Sequence, residues 1–126
     1  MIEASAFEHH LSSPQGRGHR PAGCHTATAG GYGCGDEVQM SASVTGDQVT
    51  GAGFEARGCG AASAAGSAAV TLIRGRGVLE AARIGPRQIA HELGGLSPAK
   101  WHAAELAAEA LARALGAAVR ADAALP

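Results

Sequence analysis

The stretch from Gly33 to Gly60 limits what this chain can fold into more than any other segment. Apolar and polar side chains alternate through its first half, which is the pattern of a β-strand with one buried face. Gly46 and Asp47 then suit a two-residue hairpin loop, and a second strand is predicted over residues 48–57. We therefore expect an antiparallel hairpin over residues 36–57.

In the simplest register the second strand is out of phase with the first. A two-residue loop places the apolar side chains of Ala52, Phe54 and Ala56 on the other side of the sheet from the apolar side chains of the first strand. A β-bulge near Gly51 or Gly53, or a three-residue turn, would correct the phase. We therefore expect one of these irregularities in the hairpin.

Two cysteines flank the hairpin. Cys34 lies just before the first strand and Cys59 just after the second, so their Cβ atoms are expected about 5 Å apart in a paired hairpin. Asp36 follows Cys34 by two residues and points to the same side on a strand. Two thiols and a carboxylate suit a thiophilic metal ion, and the helix predicted after Cys59 favours a thiolate there. The plainer alternative is a pair of buried cysteines beside a turn aspartate.

Length and composition argue against several classes of protein. The 126 residues fit one domain, here residues 1–126, and the net charge of −1 argues against a general nucleic-acid surface. The N-terminus lacks the basic start and apolar run of a signal peptide, and the longest uncharged run cannot span a bilayer. Three cysteines without an export signal favour a reducing compartment, so we expect a cytoplasmic protein with no nucleic-acid or membrane partner.

Helices are predicted on both sides of the hairpin. Residues 13–33 are rich in Gly, Pro and small polar side chains and are expected to form a flexible loop, with one edge strand near Cys24–Ala29. Helices are predicted from periodicity and from Gly and Pro breaks over residues 2–12, 61–73, 78–84, 86–93 and 98–118. The last one carries an apolar stripe of Leu106, Leu111, Leu115 and Val119. The fold class is therefore α+β, a small antiparallel β-sheet of about three strands packed on one face by four or five helices.

Other candidate residues are less informative on their own. His102 stands in the first turn of the last helix and is expected to be a surface histidine from its position alone. Three more histidines are predicted on helix surfaces without a ligand role: His9, His10 and His91. Cys24 and His25 form either a spare ligand pair or an incidental pair in the loop. No Ser-His-Asp or Cys-His-Asn arrangement follows from order and spacing.

The motifs together resemble the iron–sulfur cluster assembly scaffolds of the NifU/IscU/SufU family over nearly the whole chain. Cys34-Gly-Asp36 and Gly58-Cys59-Gly60 match the two ligand motifs of the family and are the most specific part of the resemblance. The segment Lys100-Trp-His102-Ala103 matches the family's Lys-x-His-Cys in the last helix. Further matches are His10-Leu-Ser-Ser-Pro14 through Gly18, Ala52-Gly-Phe54, and Arg74-Gly-Arg-Gly77 with Leu79-Glu-Ala81. The resemblance implies a SufE/NifU-like fold.

The chain departs from the family at Ala103, where the family's third cysteine falls. In the family that cysteine is a cluster ligand and is implicated in accepting sulfur from a cysteine desulfurase. The ligand set that the resemblance implies is Cys34, Asp36, Cys59 and His102, with two sulfurs, one oxygen and one nitrogen. Such a set can hold Zn²⁺, Fe²⁺ or a [2Fe–2S] cluster. Cys24 is a possible additional ligand, as a replacement thiolate.

The resemblance implies a scaffold, not an enzyme, that transiently binds iron and a [2Fe–2S] cluster for transfer to apo iron–sulfur acceptor proteins, with a cysteine desulfurase as partner. One alternative is a zinc-bound sulfur-transfer protein in which Cys34 or Cys59 accepts persulfide sulfur. Another is a degenerate, non-catalytic member that only binds partners. The family's chaperone-docking Leu-Pro-Pro-Val-Lys appears here as Leu96-Ser-Pro-Ala-Lys100, which leaves a chaperone partner open.

Overall fold

A computed structural model of the chain describes residues 5–31 and 35–123. One antiparallel sheet is present in these ranges, with the strand order β1-β2-β3, and helices cover one of its faces. The expected α+β class is thereby confirmed. In chain order the elements are α1 (Ala6–Ser12), β1 (His25–Gly30), β2 (Glu37–Thr45), β3 (Gln48–Arg57), α2 (Gly60–Ile73), α3 (Val78–Ala82), α4 (Pro86–Glu92) and α5 (Pro98–Ala123).

The hairpin β2–β3 contains a bulge, which is one of the irregularities that its sequence pattern allows. Beside the loop Thr45 pairs with Gln48, and the register shifts by one residue between Ser43 and Val44. The extra residue on β3 is Thr50, immediately before Gly51. The shift returns the apolar side chains of β3 to the face they share with β2, so the expected irregularity is confirmed.

The core lies between this shared face and helices α2 and α5. Val38, Met40 and Ala42 of β2 are fully buried, and most of the buried residues of α2 and α5 are alanines. Small side chains allow close approach, and the closest is at Gly66 of α2, where a Cβ atom would lie 2.3 Å from the Phe54 ring. Because α2 begins directly after Cys59, this contact fixes the helix that carries the second cysteine.

The opposite face of the sheet is covered by the chain between α1 and β1. The carbonyl oxygen of His19 would lie 1.8 Å from a Cβ atom at Gly53, and Pro21 would lie 2.6 Å from one at Gly51. Only glycine at positions 51 and 53 therefore leaves room for this segment to cross β3. The crossing also buries Ser41 and Ser43, on the strand face predicted to be polar, and the Ser43 hydroxyl donates to the Ala22 carbonyl oxygen at 2.9 Å. The flexibility of residues 13–33 stays a prediction.

Helix α5 runs along the sheet, antiparallel to β1. The Arg113 guanidinium donates to the Thr28 carbonyl oxygen at 3.2 Å, and Asp122 accepts the Gly46 N–H in the hairpin loop at 3.1 Å. The helix continues to Ala123, beyond the predicted end at residue 118. The predicted stripe is right for its three leucines and wrong for Val119, which is 37% exposed because Ala118 faces the core instead.

No helix within residues 5–31 and 35–123 combines the length and the apolar character needed to cross a bilayer. Side-chain oxygen and nitrogen atoms that are buried in these ranges all have a hydrogen-bond partner.

Replacing glycine by alanine should change the free energy of unfolding in opposite directions at two helical positions. Gly66→Ala should lower the free energy of unfolding by about 1–3 kcal/mol, because the new methyl group overpacks against the buried Phe54 ring. Gly116→Ala, in α5, should raise it by about 0.5–1 kcal/mol, because its nearest neighbour is the flexible Arg120 side chain. Urea unfolding followed by circular dichroism measures both, and equal shifts in the same direction would contradict the close α2–β3 contact.

Candidate metal centre

Asp36 and Cys59 meet at the open end of the hairpin, as their positions in the sequence predict. One carboxylate oxygen of Asp36 accepts the Cys59 backbone N–H at 2.9 Å, and the other accepts the Cys59 thiol at 3.2 Å. Asp36 is half-buried and Cys59 is exposed. The carboxylate therefore fixes both the main chain and the side chain of an accessible thiol.

The loop before α2 is shaped for this contact. Gly58 has a φ angle of 105°, and a Cβ atom there would lie 2.1 Å from the Asp36 carboxylate. Cys59 is the N-cap residue of the fourteen-residue helix α2 and makes no side-chain capping bond. Its sulfur thus lies at the N-terminal end of a helix and is accessible to a metal ion or an electrophile.

His102 lies at the same end of the sheet. The side chain of Leu106, one turn further along α5, would lie 3.1 Å from a Cβ atom at Gly30, and the Asp36 carbonyl oxygen would contact that atom too. Since residues four apart share a helix face, His102 projects from α5 one turn closer to the N-terminus of this helix than Leu106. It is exposed, whereas the adjacent Ala103 is 2% exposed and faces the core.

The structure joins two of the four predicted ligands directly. Cys34 lies outside the described residues, and no group of three His, Cys, Asp or Glu side chains arranged to hold a metal ion occurs within residues 5–31 and 35–123. His102 therefore shares the end of the sheet with Asp36 and Cys59 without completing a three-residue group. The four-residue ligand set stays a prediction.

Cys24 lies at the other end of the sheet. It precedes β1, whose first residue pairs with Ala42 and whose last residue, Gly30, pairs with Glu37 beside Asp36. A six-residue strand spans about 20 Å, so a comparable distance separates Cys24 from Asp36. A ligand role for Cys24 requires the segment before β1 to leave the sheet.

His10 is buried, and its predicted place on a helix surface is wrong. Its Nδ1 atom lies 2.7 Å from the Ser67 hydroxyl and its Nε2 atom lies 2.9 Å from a Glu92 carboxylate oxygen. Ser67 also accepts the Gln15 backbone N–H at 2.7 Å. Sequence order gave no sign of this arrangement because its members belong to α1, α2 and α4. The hydroxyl is 0% exposed, so the Ser-His-Glu network stabilises the fold and offers no accessible nucleophile.

Sequence comparison finds related proteins along nearly the whole chain. Residues 3–121 match the family described as NifU-like N terminal domain. The iron–sulfur cluster assembly scaffold protein IscU 1 of Archaeoglobus fulgidus is 33% identical over 115 residues, which is 91% of this chain and 74% of that protein. The bifunctional protein NifU/MnmA of Rubrobacter xylanophilus is 40% identical over 107 residues, which is 83% of this chain. The match spans only 22% of that longer relative.

Solved structures show the same fold. The N-terminal NifU-like protein of Brucella abortus superposes with a TM-score of 0.69 and 18% identity, covering 93% of this chain and 94% of that one. A putative SUF-system iron–sulfur cluster assembly scaffold protein of Fervidobacterium islandicum gives a TM-score of 0.65 and 19% identity, covering 91% of this chain and 97% of that one.

Gly58 and Gly95 offer a matched test of the Asp36–Cys59 contact. Their φ angles are 105° and 101°, but a Cβ atom at Gly95 would meet nothing within 4 Å. Gly95→Ala should cost about 1–2 kcal/mol from backbone strain, whereas Gly58→Ala should cost about 3–4 kcal/mol because it also breaks the bonds between Asp36 and Cys59. Urea unfolding of the metal-free protein measures both. Equal losses of the free energy of unfolding would mean that the Asp36–Cys59 contact does not stabilise the protein.

Proposed function

Because the chain belongs to the NifU-like N-terminal domain family, we propose that it is a scaffold on which a [2Fe–2S] cluster is transiently assembled and then passed to apo-proteins. The observation that carries the proposal is the pairing of the Asp36 carboxylate with the exposed Cys59 thiol at the mouth of the hairpin. This pair supplies a soft sulfur and a hard oxygen at one accessible point, as a transient iron site needs.

The proposed ligand set is Cys34, Asp36, Cys59 and His102. The two cysteines supply thiolates, and Asp36 supplies a weaker oxygen ligand that keeps the cargo exchangeable. His102 supplies nitrogen from the first turns of α5, which begins at the same end of the sheet. With two thiolates instead of three, the site should hold a cluster less tightly than a site that retains the cysteine replaced by Ala103.

The hydrogen bonds between Asp36 and Cys59 support a carrier role. One Asp36 oxygen accepts the Cys59 thiol and the other accepts the Cys59 backbone N–H. When a metal ion binds, the thiol releases its proton and frees one carboxylate oxygen, while the backbone N–H continues to orient the carboxylate. When the cargo leaves, the same bonds re-form, so no buried polar group is stranded in either state.

The proposed partners follow from this cargo. A cysteine desulfurase would deliver sulfur, and apo iron–sulfur proteins would receive the cluster. The chain would carry the cluster without turning over a substrate of its own, in the cytoplasm. In the segment that replaces the family's chaperone-docking motif, Lys100 lies 4.6 Å from the centre of the Phe7 ring, so this part of the chain is engaged with α1.

A second candidate function is sulfur transfer at a zinc-bound site. The observation that favours it is the exposed Cys59 thiol, which is hydrogen-bonded to the Asp36 carboxylate. In this case Cys59 or Cys34 would accept persulfide sulfur while zinc holds the site together. Protein purified without oxygen would then contain zinc and stimulate desulfurase turnover.

Anaerobic reconstitution with ferrous iron and sulfide tests the scaffold proposal. The wild-type chain should bind iron and acid-labile sulfide in equal amounts and show the visible circular dichroism of a [2Fe–2S] cluster. Substituting alanine at Cys34, Cys59 or His102 should shorten the cluster lifetime at least about tenfold. Mutation of residues that only orient metal ligands lowers metal affinity by about this factor, and loss of a ligand itself should lower it at least as much.

Cys24→Ala and His9→Ala are the matched controls, since Cys24 lies at the far end of the sheet and His9 is an exposed helix histidine. Both should leave cluster yield and lifetime unchanged. If Cys24→Ala shortened the cluster lifetime as much as Cys59→Ala, Cys24 would belong to the ligand set. Protein that contains only zinc and stimulates desulfurase turnover would favour the second function.

A further inference from the structure

Helix α1 forms one side of the loop that carries Cys59. The Leu11 side chain lies so close to Gly60 that a Cβ atom on this glycine would be 3.0 Å from one Leu11 methyl group and 3.6 Å from the other. Leu11 nevertheless remains 42% exposed. Leu11 therefore packs on the residue that follows the thiol and still exposes part of its surface to solvent.

Leu11 is held in place by the buried residue next to it. Gln15 donates its N–H to the Ser67 hydroxyl oxygen, and His10 Nδ1 lies 2.7 Å from the same hydroxyl. His10 Nε2 lies 2.9 Å from a Glu92 carboxylate oxygen. His10 thereby connects α1 to both α2 and α4 through two short bonds. Its neighbour His9 is exposed, and no such bond from its side chain appears in the described part of the chain.

Other residues of α1 make tertiary contacts too. Phe7 packs against the hydrophobic core, Lys100 of α5 lies over its ring, and Ala6 lies 3.7 Å from where a Cβ atom of Gly94 would be. The helix has only seven residues, too few to be stable without tertiary contacts. The placement of Leu11 against the Cys59 loop therefore depends on these tertiary contacts, among which His10 supplies hydrogen bonds to α2 and to α4.

We propose that α1 is a steric wall that limits which molecules reach Cys59, and that His10 is the positioning residue that holds this wall. Small reagents reach the thiol past Leu11, whereas bulky ones are slowed by it. The inference rests on the proposed function only for its biological purpose, because the wall acts on the thiol of the metal-free protein.

The test compares alkylation of Cys59 by small iodoacetamide and by a bulky maleimide in metal-free protein. Trypsin releases Cys59 in a peptide of residues 58–74 that contains no other cysteine, so mass spectrometry measures its rate separately. In His10→Gln the ratio of the maleimide rate to the iodoacetamide rate should rise about fivefold. Losing about 1 kcal/mol of net hydrogen bonding shifts the local opening equilibrium of α1 by that factor. Hydrogen exchange of the α1 amides should accelerate by a similar factor.

Two further variants separate the wall from its anchor. Leu11→Ala should raise the same ratio without accelerating hydrogen exchange in α1, and it decides the proposal even if His10→Gln fails to fold. His9→Gln, the matched control, should change neither quantity. An unchanged ratio in Leu11→Ala, or faster exchange in His10→Gln with an unchanged ratio, would overturn the wall. A raised ratio in His10→Gln without faster exchange would overturn the positioning role of His10.

Discussion

The carboxylate of Asp36 is the constraint on which the candidate site depends. It joins the start of β2 to the start of α2 by accepting two hydrogen bonds from a single residue, Cys59. The contact requires a hairpin of the correct register, a glycine at position 58 and a helix that begins at residue 60. Each of these features is local, and together they bring an oxygen and a sulfur within 3.2 Å of each other.

The small side chains of this protein serve the same end. An alanine-rich core lets α2 and α5 approach the sheet closely, and Gly66 lets α2 rest on the Phe54 ring. On the other face, Gly51 and Gly53 let the chain cross β3 in direct contact with its backbone. Such a core contributes less apolar surface than one built from leucine and phenylalanine. Hydrogen-bonded side chains such as His10 and Ser67 therefore have a larger share in holding the helices together.

Local patterns predicted most of the fold. Strict alternation in β2, the Gly46-Asp47 loop and the phase conflict in β3 were sufficient to predict the hairpin and an irregularity in it, which the structure shows to be a bulge beside Gly51. Glycine and proline breaks located the helices to within a few residues. Contacts between distant segments were not predictable in this way. The burial of His10 depends on Ser67 and Glu92, and the burial of Ser43 depends on a crossing segment whose path no periodicity encodes. The pairing of Asp36 with Cys59 was predictable because a hairpin links them; the approach of His102 rests on resemblance, because it comes from another helix.

X-ray absorption at the zinc edge tests the central claim most directly, with zinc as a probe of the site in protein loaded without oxygen. The account predicts two sulfur and two nitrogen or oxygen ligands per zinc ion in the wild-type chain, and one sulfur ligand in Cys59→Ala. It also predicts that Cys24→Ala leaves the spectrum unchanged. A wild-type site without sulfur ligands, or one with three, would contradict a metal centre built on Asp36 and Cys59.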